Sequence, residues 1–191
     1  MYTDKYGDKI ETYPLSDNST GDQFVSLCLF RDVENIKELT NTVVGTDYLR
    51  ESNIIEDEKT QSVIFLNARM IYSVEHILNS ISICVLKRAL ETKRKTKTFE
   101  TEVIYNMSPS TNITYSLKTF GMNDKTKDIV CVFLNMKNEK IFDVTKLIKG
   151  NLDNMSNLNQ VHDVREIKKV CFPYLEQFEF THLYFYISAL C

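Results

Sequence analysis

Six cations fall within eleven residues of this chain: Lys87, Arg88, Lys93, Arg94, Lys95 and Lys97, with Glu91 the one acid among them. Such a density suits phosphate, because each cation that neutralises a phosphate releases a condensed counterion. Cations at a helix C-terminus also offset the macrodipole, by about 0.3–1 kcal/mol each, and that accounts for the first few but not for six. The run therefore reads either as a local RNA-contacting patch or as a solvated loop. With a net charge of −3 the chain has no global attraction for nucleic acid, so any RNA contact has to use a patch of this kind. Phe99 and Tyr105 are near in sequence, and unpaired bases stack on such rings, although an aromatic in a strand more often belongs to the core.

Catalytic chemistry needs convergent groups, and few are available. His76, His162 and His182 are far apart and belong to no spaced ligand set. His76 lies on an apolar helical stretch, where a hydrogen-bonded structural histidine is the simpler reading. No two of the five glycines lie within four residues of one another, so neither a phosphate-cradling loop nor a dinucleotide fingerprint is present. Glu75 and Glu102 are candidate acids without a paired carboxylate or a nucleophile-base spacing, and Glu102 reads as a solvent-facing strand residue. An enzyme would have to assemble a deep polar pocket from distant residues such as Glu75, His76 and Asn106. The expectation is a non-catalytic protein with no metal and no cofactor.

The elements that must carry these residues follow from apolar periodicity. Phe24 to Phe30 places Phe24, Ser26, Cys28 and Phe30 on one face and Val25, Leu27 and Leu29 on the other, which predicts a central strand buried on both sides. Asp32 is a candidate cap for a helix carrying Val33, Ile36, Leu39 and Val43, ended by Gly45. Residues 46–61 read as an acidic loop, and Val63 to Leu66 as a short strand. Asn67 then opens a long amphipathic helix through Met70, Val74, Ile77, Ile81 and Cys84 or Val85 to about Leu90. Phe99 to Met107 reads as a strand, Asn112 to Phe120 as a helix stopped at Gly121, and Ile129 to Met136 as a second buried strand. Val144 to Lys149 and Val164 to Val170 read as short helical elements. From Tyr174 the chain reads as a final helix, apolar around most of its girth. Such a helix must bury two faces, against its own sheet and against either another helix of the domain or a partner.

Strands alternating with helices predict an α/β fold, one domain with a small mixed β-sheet packed by several helices. Residues 1–22 are polar and read as a flexible N-terminal extension, with the domain over 23–191. Composition is ordinary for a globular chain, at 43% hydrophobic and 26% charged residues, and no apolar run reaches membrane-spanning length. The polar N-terminus lacks a signal-peptide pattern, so the expected location is inside the cell. Cys28, Cys84, Cys131, Cys171 and Cys191 are odd in number and widely spaced, as reduced core thiols would be.

The ordered set of segments around the basic run resembles the kinase-binding subunit family of the KEOPS complex, that of the PRPK-binding protein. The match runs through Lys95 to Thr98 (a basic-Thr-basic-Thr lead-in), Thr101 to Pro109, Asn112-Ile113, Leu117 and Phe120-Gly121. Further segments follow in the family's order at Phe24 to Asp32, Leu66 to Leu78, Asp128 to Leu134 and Val164 to Val170. The resemblance implies a non-catalytic subunit that binds and regulates a PRPK-type kinase or ATPase. It implies that the subunit helps present transfer RNA, through its acceptor CCA end, to the threonylcarbamoyl transferase subunit, in the cytoplasm and nucleus and away from membranes. On this reading Lys87, Arg88, Lys93, Arg94, Lys95 and Lys97 are candidate RNA contacts, and Phe178, Leu183, Ile187 and Leu190 of the final helix are candidate kinase contacts. A general RNA-binding or scaffold protein unrelated to KEOPS is the alternative, and would bind RNA without preference for a kinase.

Overall fold

The computed structural model describes residues 9–15, 23–43, 47–57 and 59–171. Its frame is a five-stranded sheet. Strand β2 (Gln23–Arg31) pairs with β4 (Ile129–Leu134) along one edge, and β3 (Ser62–Asn67) pairs with the far side of β4. The other edge of β2 is shared: β1 (Glu11–Leu15) covers Gln23 to Leu27, and β5 (Asn151–Asp153) covers Leu29 to Arg31. Every pairing among the described residues is antiparallel, so the fold is the expected single α/β domain with an antiparallel sheet in place of a mixed one.

The alternation read in β2 separates two cores. Val25, Leu27 and Leu29 join Ile64, Leu66, Val130, Val132 and Leu134 on one face. Cys28 and Phe30 join Val63, Phe65, Ile129, Cys131 and Phe133 on the other. The second face is covered by α1 (Ile36–Thr42), α2 (Tyr48–Glu51) and α6 (Asn138–Thr145), through residues such as Leu39, Leu49 and Ile141. The first is covered by α3 (Val74–Ala89), α4 (Phe99–Asn106), α5 (Ile113–Phe120) and α7 (Val164–Cys171). Burying both faces is why β2 and β4 read as continuous apolar runs.

The structure departs from the sequence reading in several places. Phe99 to Met107 is a helix, not a strand. Thr98 caps it: its hydroxyl accepts from the Thr101 N–H at 3.2 Å, and the Thr101 hydroxyl accepts from the Thr98 N–H at 3.2 Å. This reciprocal box has Thr where Glu or Gln usually stands, and Glu100 and Glu102 in the first turn suit the positive end of the dipole. The buried residues Phe99, Val103 and Met107 are spaced by four, the helical interval, and this outweighs the strand preference of Val103-Ile104-Tyr105.

Residues 11–15, assigned by sequence to an extension, form an edge strand, where Pro14 is tolerated because its missing N–H costs no ladder bond. Asp32 does not cap α1. It sits at φ 53° with its N–H donating to Asp128, while Asn35 precedes the helix and braces Leu147 and Lys149. Asn67 caps a single 3-10 turn (Ala68–Met70), and Ser73 caps α3 itself. The acidic segment read as loop contains α2, and the helical turns expected from Val144 instead end α6. The final helix expected from Tyr174 lies outside the described residues.

Candidate functional site

The basic run divides into two sets. Lys87 and Arg88 lie on the last turn of α3 and are engaged within the domain. The Lys87 ammonium lies 3.4 Å from Glu102 Oε1 and 3.3 Å from Asn106 Oδ1. The Arg88 guanidinium lies 3.8 Å from the centre of the Phe99 ring and donates to the Lys59 carbonyl. A cation held over an aromatic face in this way acts as a packing group, and burial lowers the pKa of Arg88. These two are the cations that the helix and its neighbour need.

Lys93, Arg94, Lys95 and Lys97 form the other set, exposed on the turn between α3 and α4. The backbone beneath them is clamped. Glu102, on α4 with 1% of its surface exposed, accepts at Oε2 from the Lys95 N–H (3.0 Å), the Thr96 N–H (2.9 Å) and the Thr96 hydroxyl (3.0 Å). Burial works against the charge on this carboxyl, but the bonds from Thr96 and Lys87 outweigh it and hold its pKa below the usual carboxylate range. Glu102 is thus the reverse of a solvent-facing strand residue. A strand would have sent it outward, whereas the helix turns it back under the turn.

Around this point an open cleft of about 560 Å³ is lined by Arg94, Lys97, Lys87 and Arg88, and also by Arg50 and Lys59 from the α2 region. Six cations and the two carboxylates of Glu91 and Glu100 line it, so the lining is net positive although the whole chain is slightly acidic. Arg50 also pairs with Asp47 at 2.6 Å. Sequence reasoning missed Arg50 and Lys59, because nothing local marks a contact such as that of Lys59 with Arg88, 29 residues away. Phe99, a candidate base-stacking ring, is buried beneath Arg88 and forms the floor of the cleft.

The groups that an enzyme would have used do not converge. His76 is 3% exposed, with Nε2 at 3.0 Å from the Met107 carbonyl and its ring edge-on to Phe120. Glu75 is exposed, and Asn106 is occupied by Lys87 and by the sulfur of Cys84, to which it donates at 3.0 Å. His162 stacks on Tyr72. Among the described residues no group of three His, Cys, Asp or Glu could hold a metal ion, and no helix is long and apolar enough to cross a membrane. Cys28 and Cys131 face each other across β2 and β4 as buried free thiols, Cys84 is buried and free on α3, and burial pushes the Cys131 thiol up.

The candidate kinase contacts Phe178, Leu183, Ile187 and Leu190 lie outside the described residues. Within them, large apolar side chains are exposed on α3 at Leu86 (50%) and just past its end at Leu90 (67%), and on α5 at Ile113 and Tyr115. From Asn79 onward the outward stripe of α3, through Ser82, Ile83, Leu86, Ala89 and Leu90, carries no charge, since Lys87 and Arg88 turn toward α4 and the α2 region; exposed Glu75 stands one turn earlier on the same face. A solvent-facing helix stripe without charges departs from the usual amphipathic pattern.

Comparison with known proteins decides the family. The family model described as kinase binding protein CGI-121 matches residues 30–171. The chain belongs to the CGI-121 family. Among curated relatives, it is 29% identical over 136 residues to the EKC/KEOPS complex subunit CGI121 of Debaryomyces hansenii, covering 70% of this chain and 68% of the relative. It is 32% identical over 125 residues to the Schizosaccharomyces pombe subunit cgi121, covering 61% and 69%. The Danio rerio EKC/KEOPS complex subunit TPRKB is 26% identical over 148 residues, covering 76% and 77%. The CGI-121 match spans the end of β2, β3 to β5 and α1 to α7, and so includes both the basic turn and the uncharged stripe of α3.

Proposed function

We propose that this CGI-121 family member is a non-catalytic subunit of a KEOPS complex that binds and regulates its PRPK-type kinase. In this reading it also helps recruit transfer RNA, through the acceptor CCA end, for threonylcarbamoyladenosine formation next to the anticodon by the transferase subunit, in the cytoplasm and nucleus. The observation that carries the RNA part is the exposed, backbone-clamped set of four cations beside a positive cleft. The kinase part rests on the family description and on an uncharged helix stripe inside the matched residues. Of the groups that a hydrolytic site would need, the His76 ring is buried against the Met107 carbonyl and Asn106 is held by Lys87 and the sulfur of Cys84, which supports a binding role.

Kinase docking on α3 is separable from folding, because Leu86 and Leu90 are exposed in the domain. The test is gel filtration with light scattering of the full chain mixed with the PRPK-type kinase of the same organism. A one-to-one complex is expected for the native chain, and a drop in affinity on the order of tenfold, about 1.4 kcal/mol, for the double variant Leu86→Arg, Leu90→Arg. Native chain and kinase eluting apart at micromolar concentration would sink the kinase reading. Unchanged affinity in a folded double variant would move the interface off α3.

A further inference from the structure

The turn that carries Lys93, Arg94, Lys95 and Lys97 concentrates four like charges in five residues, an arrangement that repels itself and favours an open, variable backbone. In the structure that tendency is opposed by one side chain. Glu102 reaches back from α4 to accept three hydrogen bonds from Lys95 and Thr96 on one oxygen, and its other oxygen faces Lys87 on α3. The two clamped amides lie in the middle of the cationic stretch, so the carboxylate orders the backbone while the four long side chains stay in solvent. Thr98 continues the same device by capping α4 immediately after the turn.

We propose that Glu102 is a positioning residue that pre-shapes the basic turn for the phosphates of single-stranded RNA, an inference that rests on the RNA part of the proposed function. Its charge and its position act in opposite directions on affinity. As a charge, a carboxylate near the cations repels phosphate, so its neutralisation alone strengthens RNA binding. As a clamp, it spares the complex the ordering of the turn and its rotamer-rich side chains, so its removal weakens binding. The sign of the effect of one isosteric change therefore separates the two.

The experiment uses the full chain and a fluorescein-labelled single-stranded RNA ending in CCA, with anisotropy titrations over a range of salt. Amide hydrogen exchange at Lys95 and Thr96 is read in parallel. Glu102→Met, which removes the acceptor oxygens together with the charge at similar side-chain size, is expected to bind on the order of fivefold more weakly, the size set by ordering one or two long side chains. Exchange at both amides should be faster, and the salt slope unchanged because no cation is removed. Thr96→Val removes the hydroxyl's contacts with Glu102 and with the Thr98 carbonyl without touching any charge, and is expected to shift affinity in the same direction by less. It decides the matter if Glu102→Met does not fold. Equal or tighter binding by the folded variants overturns the positioning role while leaving RNA binding standing. A native chain that does not bind the RNA at all removes the RNA reading itself, and this proposal with it.

Discussion

His76 should give this protein an acid-sensitive step in stability of predictable size. The ring is buried between α3, Phe120 and the end of α4, with Nε2 paired to the Met107 carbonyl and Nδ1 buried without a partner. That pairing fits the neutral tautomer in which Nε2–H donates. A second proton would sit on Nδ1 with no acceptor, and burial accordingly lowers the pKa of this histidine, against a smaller opposing effect of the Met107 bond. In the unfolded chain the same ring titrates near 6.5. The folded value is the depressed one, so the unfolded state takes up the proton first. Stability is greatest above about pH 6.5 and falls as pH drops through the interval below it, until the native ring also protonates. A native ring that stays neutral at about pH 5.5 costs about 1.4 kcal/mol relative to pH 7.5, a noticeable share of a typical domain stability of about 5–15 kcal/mol. Urea unfolding of the native chain and of His76→Gln, at about pH 7.5 and 5.5, isolates this contribution. Far-UV circular dichroism is the suitable probe, since the chain has no tryptophan. The native chain should lose up to about 1.4 kcal/mol more than the variant between the two pH values. Equal losses would show that the ring titrates alike in both states and would refute the reasoning.

Two further outcomes follow from the turn and its helix. Arg94→Glu with Lys95→Glu should weaken binding of single-stranded RNA and flatten its salt dependence, by about 0.7 in log–log slope for each phosphate that is no longer neutralised, with kinase affinity unchanged in the gel-filtration assay. If both affinities fell together, the two surfaces would be one. Thr98→Ala removes the cap hydroxyl of α4 and should cost about 1 kcal/mol in urea unfolding; no measurable change would mean that packing of Phe99 and Val103 alone holds the helix start.

Much of this molecule was legible because burial leaves a periodic trace. The strict alternation in Phe24 to Phe30 named the two faces of β2 correctly, and the runs at Val63 to Leu66 and from Ile129 became β3 and β4. The helical spacing through Ile77, Ile81 and Cys84 became the buried face of α3. Local chemistry at His76 was also readable, since a histidine on an apolar helix face needs a hydrogen-bond partner and has one. Where local signals competed, the reading failed. Val103-Ile104-Tyr105 favours a strand, and only packing of the four-residue spacing against α3 and α5 made that segment a helix. Residues 11–15 show too little apolar alternation to announce a strand, yet the open edge of β2 recruits them, because unpaired backbone groups beside a sheet have to find partners.

By itself the sequence determined the class of fold, the density of cations between residues 87 and 97, the scarcity of catalytic groups, and the resemblance that the CGI-121 match bears out. Each of these is a property of residue types and short spacings. Tertiary structure alone decided which cations are free to meet a ligand. Lys87 and Arg88 are taken up by Glu102, Asn106 and Phe99, four others are held outward on a clamped turn, and Lys59 and Arg50, the latter already paired with Asp47, line the cleft from elsewhere in the chain. A charge is written in the sequence, but whether it is satisfied inside the domain depends on which distant side chain the fold sets beside it, and Coulomb interactions between exposed charges are screened beyond about 10 Å of salt solution.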